Sequence, residues 1–170
     1  VFVFEEPYLP EIIRNTAYDQ IYDEHIFYFS ATSLQSALGR HGLEIVDLIP
    51  QDVHGGSMRY VTGVTGVNVV APIVEATLHQ ERALGLSSFR VYEEFRGRVE
   101  SFRDGLRSLI ATLRDRGNRV VGYGATSKST TLLNYCQIGP DSLDYIVDTS
   151  PTKLGKYSPG LHIPLVSPRE

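Results

Sequence analysis

Apolar residues recur at two periods along this chain, and the changes from one period to the other mark its elements. Residues 1–4, VFVF, predict a strand, and Glu5-Glu6-Pro7 is expected to end its pairing because proline lacks the donor a ladder requires. The stretch AYDQIYDEHIFYFS, residues 17–30, fits neither period cleanly. Read as a helix it gathers Tyr18, Tyr22, His25 and Phe29 on one face; read as a strand it sends Tyr22 and Glu24 one way and His25 the other. Thr32-Ser33-Leu34-Gln35 has capping-box spacing, and Leu34, Leu38 and the Gly42 stop delimit a short amphipathic helix. Residues 43–49 and 58–64 read as strands. The paired glycines of QDVHGGS between them favour an antiparallel pair.

The period then lengthens. Residues 70–85 predict one helix and residues 88–116 a longer one, with Phe89, Tyr92, Phe95, Val99, Phe102, Leu106, Leu109 and Leu113 at helical spacing. That stripe is core or an inter-domain face, and Gly117 ends the helix. RVVGYGA, TSKSTTLLNYCQIG and LDYIVD follow as strand, helix and strand, then a Pro/Gly-rich loop and IPLVS. This order predicts a βαβ unit with a parallel pair and an α/β class.

Composition narrows the partners. At 170 residues the chain can bury a large core, and a formal net charge of -4 offers no general attraction for nucleic-acid phosphates. The basic residues of segment 96–119 are interleaved with acids and read as a solvated helix face. No run approaches a membrane span, and no signal peptide is expected before the fold. The single cysteine, Cys136, excludes an internal disulfide and points to reducing, cytoplasmic surroundings; its setting in LLNYCQ suggests packing. The chain opens without methionine inside VFVFEE and closes just after IPLVS, so it is expected to be a fragment of something larger.

Three constellations could carry chemistry. In the aromatic cluster an adjacent carboxylate can set the tautomer of His25 and raise its basicity, as a general base needs, although a lone histidine on an apolar stripe is usually a core residue. Gly122-Tyr123-Gly124-Ala125-Thr126-Ser127-Lys128-Ser129 stands where a strand turns into a helix, and helix amides with Lys128 favour an anion such as phosphate. The turn lacks the third glycine of a dinucleotide fingerprint, with Ser127 in that place, and its spacing is wrong for a P-loop. Asp148, at the end of the next strand, keeps a nicotinamide-binding oxidoreductase as a rival. His54-Gly55-Gly56-Ser57 with Arg59 could meet hydroxyls or phosphates, or be a plain hairpin turn. Lys153, Lys156 and Tyr157 lie on a loop beyond a strand's carboxyl end, where open α/β sheets place ligands. The histidines show no metal-binding spacing, so no metal site is expected.

Taken in order, FEEPYL, YDQIYDEHIFYFS, HGGSMR, GYGATSKSTTLLN, VDTSPTKLGKYSPG and IPLVSP resemble the S-adenosylmethionine-dependent sugar C-methyltransferases of deoxysugar biosynthesis, over practically all 170 residues. Members of that family carry a small zinc-binding domain, a methyltransferase domain and a C-terminal Rossmann-like domain, and methylate the carbon beside the keto group of a nucleotide-linked sugar. The resemblance implies that residues 1–68 close a class I methyltransferase fold with its antiparallel pair and that residues 69–170 form most of the Rossmann-like domain. It implies that zinc and most contacts to S-adenosylmethionine belong to the remainder of the polypeptide, leaving this chain inactive alone. Tyr22, Glu24 and His25 match the family's active-site motif: His25 as base, Glu24 as its orienting and charge-balancing partner, Tyr22 as a hydrogen-bond donor to sugar or enolate. Tyr123, Gly124, Ser127, Lys128 and Ser129 become a pyrophosphate site for a nucleoside diphosphate sugar, with His54 and Arg59 near substrate or cofactor. A non-catalytic docking module, built on the aromatic helix, is the other alternative.

Overall fold

A computed structural model describes residues 1–169, which form two compact units: residues 1–20 with 24–96, and residues 21–23 with 97–169. The division falls within a helix, between Arg96 and Gly97.

The first unit is built on an antiparallel sheet of β1 (Phe2–Pro7), β2 (Leu43–Gln51) and β3 (Ser57–Val64), in the order β1-β3-β2. β1 does not stop before Glu5. Its ladder continues to the pair Pro7↔Ser57, because a proline at the end of an edge strand need not donate to an outer neighbour. Strands β2 and β3 form the expected antiparallel pair, with an irregularity between Ile45 and Asp47 that shifts the register. Helix α1 (Leu9–Asn15) follows β1, with Pro10 tolerated in its first turn, and a single 3-10 turn occupies Tyr18–Gln20. The aromatic stretch beyond it is neither helix nor strand but an irregular segment ending at α2 (Ala31–Gly39).

The capping box of α2 lies before the position its sequence suggested. Ser30, not Thr32, is the N-cap: its hydroxyl accepts from the Ser33 amide at 3.1 Å while the Ser33 hydroxyl accepts from the Ser30 amide at 3.0 Å. Helix α3 (Pro72–Leu84) packs on α2 and β2. The core gathers Tyr8, Leu34, Ile45, Leu48, Met58, Tyr60, Val74 and Leu78, and Phe4 stacks on Tyr60 at 5.2 Å.

Helix α4 (Phe89–Asp115) spans the division, and Gly117, at φ 78, follows its end as expected. Only part of its aromatic stripe is core. Val99 and Ile110 are buried and Leu106 packs on the second core, whereas Phe89, Phe102 and Leu109 are exposed.

The second unit holds a parallel sheet in the order β4 (Gly122–Tyr123), β5 (Ile146–Val147), β6 (Leu165–Val166). Helix α5 (Ser127–Cys136) connects β4 to β5, giving the anticipated βαβ unit. Ile110, Cys136, Ile138, Leu143, Ile146, Ile163 and Leu165 fill its core. Arg114 and Arg119 both donate to Asp144, at 2.6 and 3.0 Å, and hold its carboxyl below the usual carboxylate range. The chain is thus a mixed α/β protein with one antiparallel and one parallel sheet.

A tight backbone constraint lies at the β2–β3 turn. Gly56 has φ 115, and a Cβ there would sit 2.7 Å from both Cβ and Cγ of Glu11. Gly66 has φ 76 with nothing within 4 Å. In urea unfolding Gly56→Ala should lower stability by about 2 kcal/mol or more, and Gly66→Ala by about 1 kcal/mol.

Candidate active site

Strand alternation sets Glu6 on the same face of β1 as Phe4, the face that stacks on Tyr60. His25 reaches this acid from the irregular segment: its Nδ1 lies 3.1 Å from Glu6 Oε2. The segment is tied down on either side of the imidazole. The Tyr28 hydroxyl donates to the Gln20 carbonyl at 3.1 Å, and the Leu9 amide donates to the Phe29 carbonyl at 3.0 Å. The rings of His25 and Tyr28 face each other at 6.0 Å with a 57° tilt.

A carboxylate can only accept, so the contact places a hydrogen on Nδ1 and leaves the Nε2 lone pair as the basic position. The side chains of His25 and Glu6 are 22 % and 33 % exposed. Glu24 is exposed on the turn before His25. The carboxylate at the imidazole is therefore that of Glu6, which the sequence did not single out. Its signal was an acid occupying an apolar face of a strand. Tyr22 is half-buried and belongs with residues 21–23 to the second unit, where the Thr131 hydroxyl donates to the Ile21 carbonyl at 3.4 Å.

The HGGS turn is held by its own unit. Gln20 Nε2 donates to the His54 carbonyl, Asn15 Nδ2 to the Gly55 carbonyl at 3.3 Å, and the Tyr8 amide to the Gly56 carbonyl at 3.1 Å. Arg59 donates to Glu5, its cross-strand partner, at 2.9 Å and to Gln51 at 3.3 Å. The carbonyls and the guanidinium thus have protein partners, while the His54 side chain is exposed.

In the second unit the glycine turn has structural reasons of its own. A Cβ on Gly122 would stand 3.0 Å from Ile146 Cγ1, and Gly124 has φ 88. Ser129 forms the reciprocal N-terminal cap of α5 with Thr126, accepting from the Thr126 amide at 2.8 Å and donating to its carbonyl at 2.8 Å. Tyr123 is 82 % exposed, Ser127 is exposed and Lys128 half-buried. A cavity of about 360 Å³ opens here, walled by Ser127, Ser129 and Thr130 and, across it, by Lys153, Lys156 and Tyr157. The loop beyond β5 therefore shares a wall with the glycine turn, and the cations on that wall are Lys153 and Lys156. Asp148 is buried and committed to the scaffold: it accepts from the Ser150 amide at 2.7 Å and the Ala125 amide at 2.8 Å, with Lys153 Nζ at 3.5 Å. Among the described residues no group of three or more His, Cys, Asp or Glu could hold a metal, and no helix is long and apolar enough to cross a membrane.

The architecture is that of an α/β protein with an imidazole–carboxylate pair in one unit and a cation-lined cavity in the other. Residues 52–170 match the C-methyltransferase C-terminal domain family, and the chain belongs to it. Across its whole length it is also similar to C-methyltransferase NovU of Streptomyces niveus, with 38 % identity over 171 residues. The chain spans 41 % of that relative's length. Glu6 and His25 precede the family match but lie within the stretch shared with NovU.

The amides of Ser150 and Ala125, with Lys153, hold the Asp148 carboxyl below its ordinary value. Its contribution to stability is therefore fully present above the unfolded value near pH 3.9 and is lost as pH falls through the lower folded value. Acid titration of unfolding should show Asp148→Asn less stable than the parent above about pH 4, with the difference narrowing below it.

Proposed function

We propose that the chain serves S-adenosylmethionine-dependent C-methylation of a nucleotide-linked keto-sugar, with His25 as the general base. The observation that carries this reading is the 3.1 Å contact between His25 and Glu6, in a chain belonging to a C-methyltransferase family. His25 Nε2 takes the proton from the carbon beside the ketone, and Glu6 holds the imidazole in the tautomer with its lone pair on Nε2 and balances the imidazolium that results. Tyr22, assigned by the motif, donates to the oxygen on which enolate charge develops. Glu24, beside the base in sequence, adds negative charge near the imidazolium.

The methyl donor, when bound, supplies an electrophilic carbon to the enolate. The junction from β1 to α1 is Pro7-Tyr8-Leu9-Pro10, with two prolines and no glycine, and does not fit the backbone cradle a nucleoside needs. We therefore assign S-adenosylmethionine to the remainder of a longer polypeptide, of which the chain spans 41 % in the relative it matches. In this reading the antiparallel sheet closes a class I methyltransferase fold and the parallel sheet belongs to a Rossmann-like domain. The dinucleotide alternative loses support because both Asp148 oxygens already serve the loop.

For the sugar nucleotide, the pyrophosphate expectation centred on Lys128 moves to Lys153 and Lys156, which line the cavity with Ser127 and Ser129 while Lys128 does not. Calorimetric titration with thymidine diphosphate should show Lys156→Ala weakening binding by about tenfold. Affinity equal to the parent's in both Lys156→Ala and Lys153→Ala would remove the phosphate from this cavity.

In the full-length protein, His25→Asn should lower methyl transfer by at least about a hundredfold while sugar-nucleotide binding is kept, and Glu6→Gln by about tenfold. Normal turnover of His25→Asn would end the assignment.

A further inference from the structure

Glu81 is a carboxylate with 1 % exposure, on the inward face of α3. Three donors converge on it: the Tyr8 hydroxyl at 2.7 Å, the Ala31 amide at 2.7 Å and the Thr32 amide at 2.8 Å. The two amides open α2 and are among the helix's unpaired N-terminal donors, so the carboxylate satisfies them and meets the positive end of the helix dipole. A charge so deeply buried persists only where donors surround it.

The location of these donors gives the contact its meaning. Tyr8 directly follows β1, the strand that ends with Glu6 and Pro7. Ala31 and Thr32 directly follow the irregular segment that carries His25. The same two chain segments are joined once more by a parallel bridge between Tyr8 and Phe29. We propose that Glu81 is a positioning residue: by gripping Tyr8 and the start of α2 together, it fixes the two segments whose register brings Glu6 against His25. The Tyr8 phenol is kept protonated by burial and by Glu81 itself, which push its titration well above the ordinary range, so it donates at every working pH. A glutamine would turn an NH₂ group toward one of the three donors, and so could not serve all of them.

This inference rests on His25 as the base only for its catalytic consequence, and the test separates the two. The 15N signals of histidine report which ring nitrogen carries hydrogen, and His25→Asn assigns the His25 signal among the other histidines. In the folded parent chain His25 should be held as the Nδ1–H form. Tyr8→Phe removes one donor with little change in volume. It should move His25 toward the Nε2–H form, lower kcat in the full-length protein by about tenfold and leave KM for the sugar nucleotide within about twofold. Glu81→Gln should do the same more strongly, and it serves alone if Tyr8→Phe does not fold. A folded variant with lowered thermal stability but an unchanged His25 signal would overturn the proposal, since a purely structural carboxylate predicts that result. A shifted signal with turnover intact would keep the positioning and remove the base.

Discussion

The first unit is organised around a buried carboxylate, 1 % exposed and held by three donors. Glu81 is bonded to Tyr8 and Ala31 of the apolar core and stands at the wall of a cavity that Tyr8, Thr77 and Leu84 also line. Leaving one of its partners unpaired costs about 1–3 kcal/mol, and more for a charged group, so the end of β1, the start of α2 and the buried face of α3 are held in one arrangement. Hydrophobic packing alone would tolerate small slips among these elements. A carboxylate with three short donors does not, and that difference is what a site requiring a fixed imidazole needs from its scaffold.

The second unit repeats the device on a smaller scale. Asp148 draws the Ala125 and Ser150 amides together, and Lys153 bridges from the same carboxylate to the Ala125 carbonyl at 2.7 Å. Residues that look like ligand contacts therefore spend much of their bonding capacity inside the protein. Ser129 caps α5, Gly122 makes room for Ile146, Arg59 pairs with Glu5, and the carbonyls of the HGGS turn receive donors from α1 and the 3-10 turn. What remains free to bind is what such bonding leaves over, and in the second unit that is the cavity between the α5 turn and the Lys153–Lys156 loop.

This explains how much could be read directly. Long periodic segments were legible: α3, α4, the β2–β3 pair and the βαβ unit follow from spacing that one residue type or another enforces locally. Segment ends were less so, because they depend on tertiary partners. Pro7 stays in its strand since β1 is an edge, and the cap of α2 is Ser30 because that is where the chain turns in to meet Glu81. The division within α4 carried no local mark, as an uninterrupted helix hides which part of it each core claims.

The partner of His25 was the least legible feature, for a geometric reason. A side chain and its immediate neighbour on an extended or turning backbone point in different directions, so an adjacent acid seldom meets an imidazole squarely. The group that does meet it must come from another segment whose face is fixed independently. Glu6 meets that condition: strand alternation places it on the face of Phe4, and the β1–β3 ladder holds that face in register with Tyr60. Its sequence gave a clue only in retrospect, as an acid standing where the strand pattern called for an apolar side chain. A charge that breaks the pattern of its own face, like Glu81 on the buried side of α3, is where a fold of this kind shows what it is built to hold.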